Sequence, residues 1–168
     1  SSAPNSESVS PGYPTMKVVR IASSGIAIRT TFIVGYPGET DTEFGALLDF
    51  VEDLQFDRLG AFQFSFEHDT TSAQLGDPIS QEIKENRFEK LMQLQQNISL
   101  QKNQHFLGKT LDVLIEGKED GISVGRSYRD APEIDGTVIV EGELPVGTIS
   151  PVHITGAMTY DLTGVPAQ

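Results

Sequence analysis

The chain has 168 residues, of which 24 are acidic and 12 are Lys or Arg, so its formal net charge at neutral pH is −12. It has no cysteine, which excludes disulfides, thiolate metal sites and a cysteine nucleophile within these residues. The length suits one ordinary domain or two small ones, and the lack of a membrane-length apolar stretch or a signal-peptide pattern predicts a cytoplasmic protein.

Residues 1–24 are predicted to be a disordered or unrelated leader. Residues 1–15 consist largely of Ser, Pro, Asn and Gly and have almost nothing to bury. Residues 16–21 fit either a short strand or part of a helix, and the pattern leaves both open.

Residues 26–66 are predicted to form a strand, a helix and a second strand. A β-branched run indicates the first strand over residues 26–34. Thr40 and Glu43 then match a capping box, and apolar residues at helical spacing predict a helix over residues 41–54. Residues 57–58 indicate a turn, and the aromatic-rich segment 59–66 indicates the next strand. Two strands joined this way pair in parallel with a right-handed connection.

The connection after the first strand is Gly35-Tyr36-Pro37-Gly38-Glu39-Thr40. Its glycines allow positive φ angles or a close backbone approach, and its proline stiffens the turn. Because ligands of parallel α/β sheets bind at the carboxyl ends of the strands, this turn is a candidate ligand site. Considered without any resemblance, the residues favour a tight strand-to-helix connection that binds nothing.

A polar connection over residues 67–80 precedes a predicted helix over residues 80–105, with Gly108 as its stop. Glu67 and His68, or Ser65, His68 and Asp69, supply residue types found in metal sites and hydrolase triads, but their crowding into one polar loop favours a surface loop. After residue 107 the pattern changes to short apolar runs separated by glycines, which predicts a small closed β-barrel. The predicted strands are 111–115, 122–124, 138–140, 152–154 and 162–165.

The first strand and its turn resemble a late barrel strand of the radical S-adenosylmethionine (SAM) methylthiotransferases. The resemblance covers residues 28–40 and 43–44, and extends to 56–60 and 64–67. It implies that Ile33, Val34 and Gly35 make apolar and backbone contacts to the nucleoside of SAM, and that Glu39 supports the turn. Tyr36, Pro37 and Gly38 complete the implied cofactor-binding set. Phe66 departs from the family, which usually has Pro there, and Asp69 precedes Thr70 where Gly is usual.

A second resemblance covers residues 91–103 and 108–111, which are similar to the connecting helix of the same family and to the entry of its C-terminal TRAM barrel. Residues 125–136 and 154–162 resemble the members that modify an aspartate of small-subunit ribosomal protein twelve. The implied architecture is the C-terminal part of a radical-SAM partial (β/α) barrel with a connecting helix, residues 25–106, followed by a five-stranded OB-like TRAM barrel, residues 107–168. Pro151 departs from the family, and predicts an edge or a bulge in its strand.

Charge distinguishes the protein-modifying members from those that act on tRNA. Residues 107–168 contain four basic and ten acidic residues, a balance of −6 that suits a basic ribosomal protein as substrate and disfavours tRNA. We expect a monomer without a membrane partner. The resemblance suggests five candidate substrate-binding residues: Arg126, Tyr128, Asp130, Glu133 and Asp135. A solvated loop is the alternative for the three acidic ones.

The family uses SAM together with [4Fe–4S] clusters, one of which is held by a Cys-x-x-x-Cys-x-x-Cys triplet. Because this chain has no cysteine, it is expected to be a fragment that is inactive alone, and no catalytic or metal-binding residue is assigned to it. The parent activity implied is methylthio transfer to the aspartate of a small-subunit ribosomal protein. Two alternatives stay open, a fragment of a tRNA methylthiotransferase and a stand-alone TRAM-type binding module without catalysis.

Overall fold

The computed structural model describes residues 26–68, 74–132 and 136–167. The predicted leader lies outside the described residues, as do Asp69, Glu133 and Asp135. In these three ranges no helix is both long and apolar enough to cross a lipid bilayer. The elements in chain order are β1 Arg29–Val34, α1 Asp41–Leu54, β2 Arg58–Gln63, α2 Gln81–Gln104, β3 Thr110–Glu119, β4 Ile122–Ser127, β5 Val138–Glu141, β6 Ile149–Ala157 and β7 Leu162–Pro166.

Strands β1 and β2 pair in parallel across α1, as predicted, with Arg29 opposite Arg58 and Val34 opposite Gln63. Helix α1 begins at the predicted residue, because the Thr40 side chain and the Glu43 carboxylate satisfy each other's backbone amides. The strands are shorter than predicted: β1 begins at Arg29 instead of residue 26, and β2 ends at Gln63 instead of residue 66. Arg58 belongs to β2 and not to a turn.

Helix α2 lies over the predicted segment, with Ser80 as its N-cap. The chain then turns over residues 105–108, and Gly108 adopts a φ of +77° ahead of β3. Leu91 and Ile98 on the predicted apolar face are buried. The helix also buries polar residues that the apolar pattern did not indicate: Lys84, Arg87, Gln95, Ser99 and Asn103.

The five remaining strands form a closed barrel in the order β3-β4-β5-β7-β6, which confirms the predicted fold. Its core consists of residues that alternate along the strands: Leu111, Val113, Ile115, Val138, Val140, Val152, Ile154 and Leu162. The prediction that Pro151 marks an edge is wrong, since β6 pairs with both β3 and β7. The irregularity of β6 lies further along, between Ile154 and Gly156.

Candidate functional site

The candidate turn starts from a fully buried residue. The Val34 side chain has no exposed surface, and its carbonyl accepts a hydrogen bond from the Phe64 amide at 2.9 Å. Gly35 follows with a φ of +73°, and a Cβ at this position would lie 2.5 Å from Cγ of Lys84. Gly35 is therefore required by the close approach of α2. Val34 and Gly35 are therefore buried against the rest of the protein and offer no surface to a ligand.

Glu39 holds the turn closed from within. One oxygen of its carboxylate accepts hydrogen bonds from the amides of Gly35 and Tyr36. Arg87 lies 3.5 Å from the other oxygen and donates to the Glu39 carbonyl at 3.3 Å. The geometry thus gives Glu39 the supporting role that the resemblance implied. Because both amides are used internally, they are not free to donate to a ligand.

The parts of the turn that face outward are apolar. The side chains of Ile33 and Tyr36 are 57% and 37% exposed, and nothing lies within 4 Å of the position a Cβ would take at Gly38. Phe62 is the strand partner of Ile33 and is 64% exposed. Together Ile33 and Phe62 form an uncovered apolar shelf at the carboxyl ends of β1 and β2. Sequence reasoning missed Phe62, although alternation from buried Leu59 places it on this face.

The chain offers a site for one of the family's two cofactors but not for the other. A flat nucleobase suits exposed aliphatic and aromatic side chains beside an open glycine, so the shelf fits the nucleoside part of SAM. A [4Fe–4S] cluster needs thiolate ligands, and the chain has no cysteine. Within the described ranges there is also no grouping of His, Asp and Glu that could hold a metal ion. None of the residues that the structure describes therefore fits a cluster.

A second concentration of polar groups lies where α2 and β2 meet the barrel, and we call it the junction. Asp57 stands at its centre and is 7% exposed. Its carboxylate accepts hydrogen bonds from the Ile28 amide at 3.0 Å, from Lys102 at 2.9 Å and from Arg129 at 3.0 Å. Arg129 follows β4 in the barrel, so the last contact crosses between the two units. The guanidinium of Arg129 also lies 4.4 Å from the ring centre of Phe106.

The junction contains a second buried ion pair. Arg58 donates to the Asp130 carboxylate at 2.6 Å and to the Tyr160 carbonyl at 3.2 Å. Asn103 of α2 donates to the Met158 carbonyl at 2.9 Å. Asp130 also accepts from the Ser127 hydroxyl at 2.7 Å, and its side chain is 5% exposed. Asp130, a candidate substrate contact, is thus placed inside the junction.

The protonation of Asp57 reflects this environment. Burial opposes ionisation and raises the pKa of the Asp57 carboxyl. The hydrogen bonds from Lys102, the Ile28 amide and Arg129 act the other way and outweigh burial, so the pKa lies below its ordinary value. Asp57 is accordingly an anion that its cationic partners hold charged.

The remaining candidate substrate residues are not grouped together. Arg126 lies on the outer side of β4, where Nε is 3.1 Å from the carboxylate of Glu116. Tyr128 is 62% exposed and borders a cavity of about 410 Å³ beside Lys102, Phe106 and Arg129. Glu133 and Asp135 lie outside the described residues. Arg126 and Tyr128 are therefore the two described candidates that have surface to offer a partner.

The closed barrel and its sequence define the class of this part of the chain, because residues 107–166 match the model of the TRAM domain. The chain as a whole is similar to proteins named ribosomal protein uS12 methylthiotransferase RimO, which confirms the resemblance found in the sequence. The relative from Chloroflexus aurantiacus is 51% identical, over 89% of this chain and 35% of its own length. A relative from Thermus thermophilus is 49% identical, over 91% of this chain and 36% of its own length.

A relative of the same name from Trichormus variabilis is 49% identical over 87% of this chain and 34% of its own length. The chain thus spans about a third of the length of the curated relatives that it matches. The similarity extends over both the strand–helix–strand unit and the barrel, since each alignment covers much more than residues 107–166.

Proposed function

We propose that this chain forms part of a radical SAM methylthiotransferase that modifies an aspartate of a small-subunit ribosomal protein. The observation that carries the proposal is the 47–51% identity to RimO proteins over both the α/β unit and the barrel. We keep the division predicted from the sequence, with residues 25–106 as the part of the SAM domain and residues 107–168 as the TRAM domain. We propose a cytoplasmic location, because the proposed substrate is a ribosomal protein.

The α/β unit is proposed to supply one wall of the SAM pocket over residues 33–38. Ile33 and Tyr36 would contact the nucleoside directly, with Gly38 leaving room for it and Phe62 extending the apolar shelf. Val34, Gly35 and Pro37 would shape the pocket from behind, since the first two are buried. When bound, SAM and its cluster supply the radical chemistry. This chain's own residues bind and orient the nucleoside and exclude water from its apolar side.

We also propose that the 168 residues alone perform no methylthiolation, because thiolate ligands for the cluster are lacking. Anaerobic reconstitution with iron and sulfide tests this proposal through the visible absorbance of an iron–sulfur cluster. A stoichiometric cluster in the purified chain would contradict it.

A chimera tests the function itself. Residues 26–167 replace the matching segment of the Chloroflexus aurantiacus relative, and mass spectrometry follows the addition of a methylthio group to ribosomal protein uS12. We expect an active chimera. The Ile33→Asp variant should lose SAM binding because a charge would stand on the apolar shelf, and Ile122→Asp on the barrel surface serves as the matched control for SAM binding. A folded, cluster-loaded chimera that leaves uS12 unmodified would contradict the proposal.

The acidic barrel is what favours a protein substrate over tRNA, and the names of the similar proteins point the same way. Arg126 and Tyr128 are proposed as substrate contacts on its surface. The alternative of a stand-alone binding module is not favoured, and the chimera tests it as well, because a module without catalytic relevance would not restore methylthiolation.

A further inference from the structure

Lys84, near the start of α2, is a buried cation to which the proposed function assigns no part. Its side chain is 3% exposed, although lysine is almost never buried without partners. Its ammonium donates to the Phe64 carbonyl at 3.0 Å and to the Asp77 carboxylate at 2.6 Å. Because both acceptors belong to this chain, the ammonium is tied to the protein and is not presented to a ligand.

Lys84 connects three segments that meet at the carboxyl ends of β1 and β2. Phe64 directly follows β2, and Asp77 belongs to the connection that leads into α2. The aliphatic stem of the lysine crosses Gly35 after β1, where a Cβ would lie 2.5 Å from Cγ of Lys84. One side chain of α2 thus holds the ends of both strands and the segment between β2 and the helix.

The ring of Phe64 extends this set of contacts to an exposed residue of the candidate turn. Nζ of Lys84 lies 5.5 Å from the ring centre of Phe64, a distance at which a cation is attracted to an aromatic face. Phe64 is 7% exposed and meets the Tyr36 ring edge to face, with the ring centres 5.3 Å apart and the planes at 77°. The orientation of the Tyr36 ring therefore depends on where Lys84 holds Phe64.

We infer that Lys84 is a positioning residue: through Phe64 it sets the orientation in which the Tyr36 ring meets the nucleoside of SAM. This inference rests on the proposed function, in which Tyr36 belongs to the wall of the SAM pocket. Arg87, one turn further along α2, contacts Glu39 of the same turn. Arg87 thus supports the backbone of the turn, and Lys84 supports its exposed ring.

Burial of a cation is a costly way to pack a helix, so the lysine calls for a role beyond packing. A buried ammonium loses its hydration, whereas an apolar side chain of similar length would cover Gly35 without that cost. An apolar side chain would neither donate to the Phe64 carbonyl nor attract the Phe64 ring. These are the two contacts that fix Phe64 against Tyr36.

The first measurement follows the Tyr36 ring by NMR in the 168-residue chain, without any cofactor. Nuclear Overhauser effects between the ring protons of Tyr36 and Phe64 report their edge-to-face contact. We expect Lys84→Met, which keeps most of the stem but removes the charge, to lose these effects. Asp77→Asn, which keeps an oxygen acceptor but removes the negative charge, should weaken them.

Two matched controls make the same chemical changes at exposed positions, Lys90→Met on α2 and Asp53→Asn on α1. Both should retain the contact between the two rings. Thermal melts of every variant separate positioning from stability. Because the Asp77 side chain is 33% exposed, Asp77→Asn should melt close to the parent, so its weakened ring contact would not reflect unfolding.

The second measurement is equilibrium dialysis of SAM with the cluster-loaded chimera that carries residues 26–167. Lys84→Met and Phe64→Leu should each raise the dissociation constant of SAM about fivefold. Because Lys84 acts through the Phe64 ring, the double variant should also raise it about fivefold, and not the roughly 25-fold expected of independent sites. A lysine that only stabilised the fold would leave SAM binding by the folded protein unchanged.

The failure of this inference is distinguishable from that of the proposed function. If the parent chimera does not bind SAM, the proposed SAM wall is wrong and the inference falls with it. If the parent binds SAM and Lys84→Met binds it equally tightly, Lys84 is not a positioning residue, while the proposed function survives. Ring contacts retained in Lys84→Met, or additive losses in the double variant, would also overturn the inference.

Asp77→Asn decides the question if Lys84→Met does not fold. Its dissociation constant for SAM should rise about twofold, because a neutral partner holds the ammonium less firmly. An unchanged constant in Asp77→Asn would overturn the inference.

Discussion

The barrel and the strand–helix–strand unit solve the problem of burial in different ways. The barrel closes on itself and buries eight aliphatic side chains that come from four of its five strands. The other unit has two strands, one of whose faces carries the exposed Ile33 and Phe62. Its main helix, α2, buries more polar and charged side chains than apolar ones. Both units have an apolar core, but the second also buries directed polar contacts of α2 and leaves one face of its strands open.

This difference separates the parts of the chain that stabilise it from the parts that are open to ligands and partners. The barrel buries its apolar side chains on the inside, so its outer surface is available to a partner. The two-stranded unit leaves its strand ends and one face open, which is where a ligand is proposed to bind. The junction around Asp57 joins the two units and fixes where the barrel stands relative to the open shelf.

The largest effect should come from the barrel core. Ile115 is fully buried, and Ile115→Ala should lower the free energy of unfolding by about 4 kcal/mol, because a cavity remains in a tightly packed interior. Urea unfolding followed by circular dichroism measures this loss. Ile122→Ala, at an exposed position of the same barrel, should cost less than about 1 kcal/mol. Equal losses in the two variants would mean that the barrel is not a separate apolar core.

The junction should give the next largest effect, by a different mechanism. Asp57→Ala leaves the charges of Lys102 and Arg129 without their anion and should cost about 3 kcal/mol, whereas Asp53→Ala on the exposed side of α1 should cost almost nothing. A double-mutant cycle with Arg129→Met measures the coupling across the two units. A coupling energy near zero would show that Asp57 does not join them.

Substituting the glycines of the candidate turn shows whether the contact with α2 or the backbone conformation requires a glycine there. Gly35→Ala should cost about 2 kcal/mol, because it combines a φ of +73° with a clash against the Lys84 side chain. Gly38→Ala shares the positive φ but meets no neighbour, so it should cost about 1 kcal/mol. Similar losses at both positions would indicate that the approach of α2 is not what requires Gly35.

The same contrast explains what could be predicted from the sequence. Short apolar runs separated by glycines predicted all five barrel strands, and the Thr40–Glu43 pair predicted the first residue of α1. The buried polar stripe of α2 was missed, because Gln95 or Asn103 in a helix resembles a solvated position until its distant partner is known. Asp57 and Arg129 are 72 residues apart in the chain, and no local pattern connects them.

The sequence predicted the position of the candidate site but not which of its residues are exposed, for a related reason. The glycine and proline spacing located the turn, but it did not distinguish residues that face a ligand from those that face α2. Val34 and Gly35 proved to be buried, whereas Phe62 on the neighbouring strand is exposed beside Ile33. Which side of a strand is open depends on what packs against it, and that is a tertiary property.

A smaller effect concerns the start of α1. Thr40→Ala removes the hydroxyl that accepts from the Glu43 amide, and should cost about 1 kcal/mol. The Thr40 backbone amide and hydroxyl also lower the pKa of the Glu43 carboxyl, so an NMR titration of the variant should show this pKa moving back toward its ordinary value. Thr42→Ala serves as the control, because Thr42 is exposed and lies two residues further along in the first turn of α1. An unchanged Glu43 titration in Thr40→Ala would contradict the capping box.

The smallest expected effect is the acid sensitivity of the junction, since it concerns a single proton. The pKa of Asp57 is lower in the folded chain than in the unfolded one, so its stabilising contribution is complete above the unfolded value of about 3.9. It is lost as the pH falls through the folded pKa, because the carboxyl is then neutral in both states. The free energy of unfolding of the parent should therefore fall more steeply below pH ~4 than that of Asp57→Asn. Parallel curves for the two proteins would show that the cations of the junction do not depend on an ionised Asp57, and that the barrel and the α/β unit are joined by other contacts.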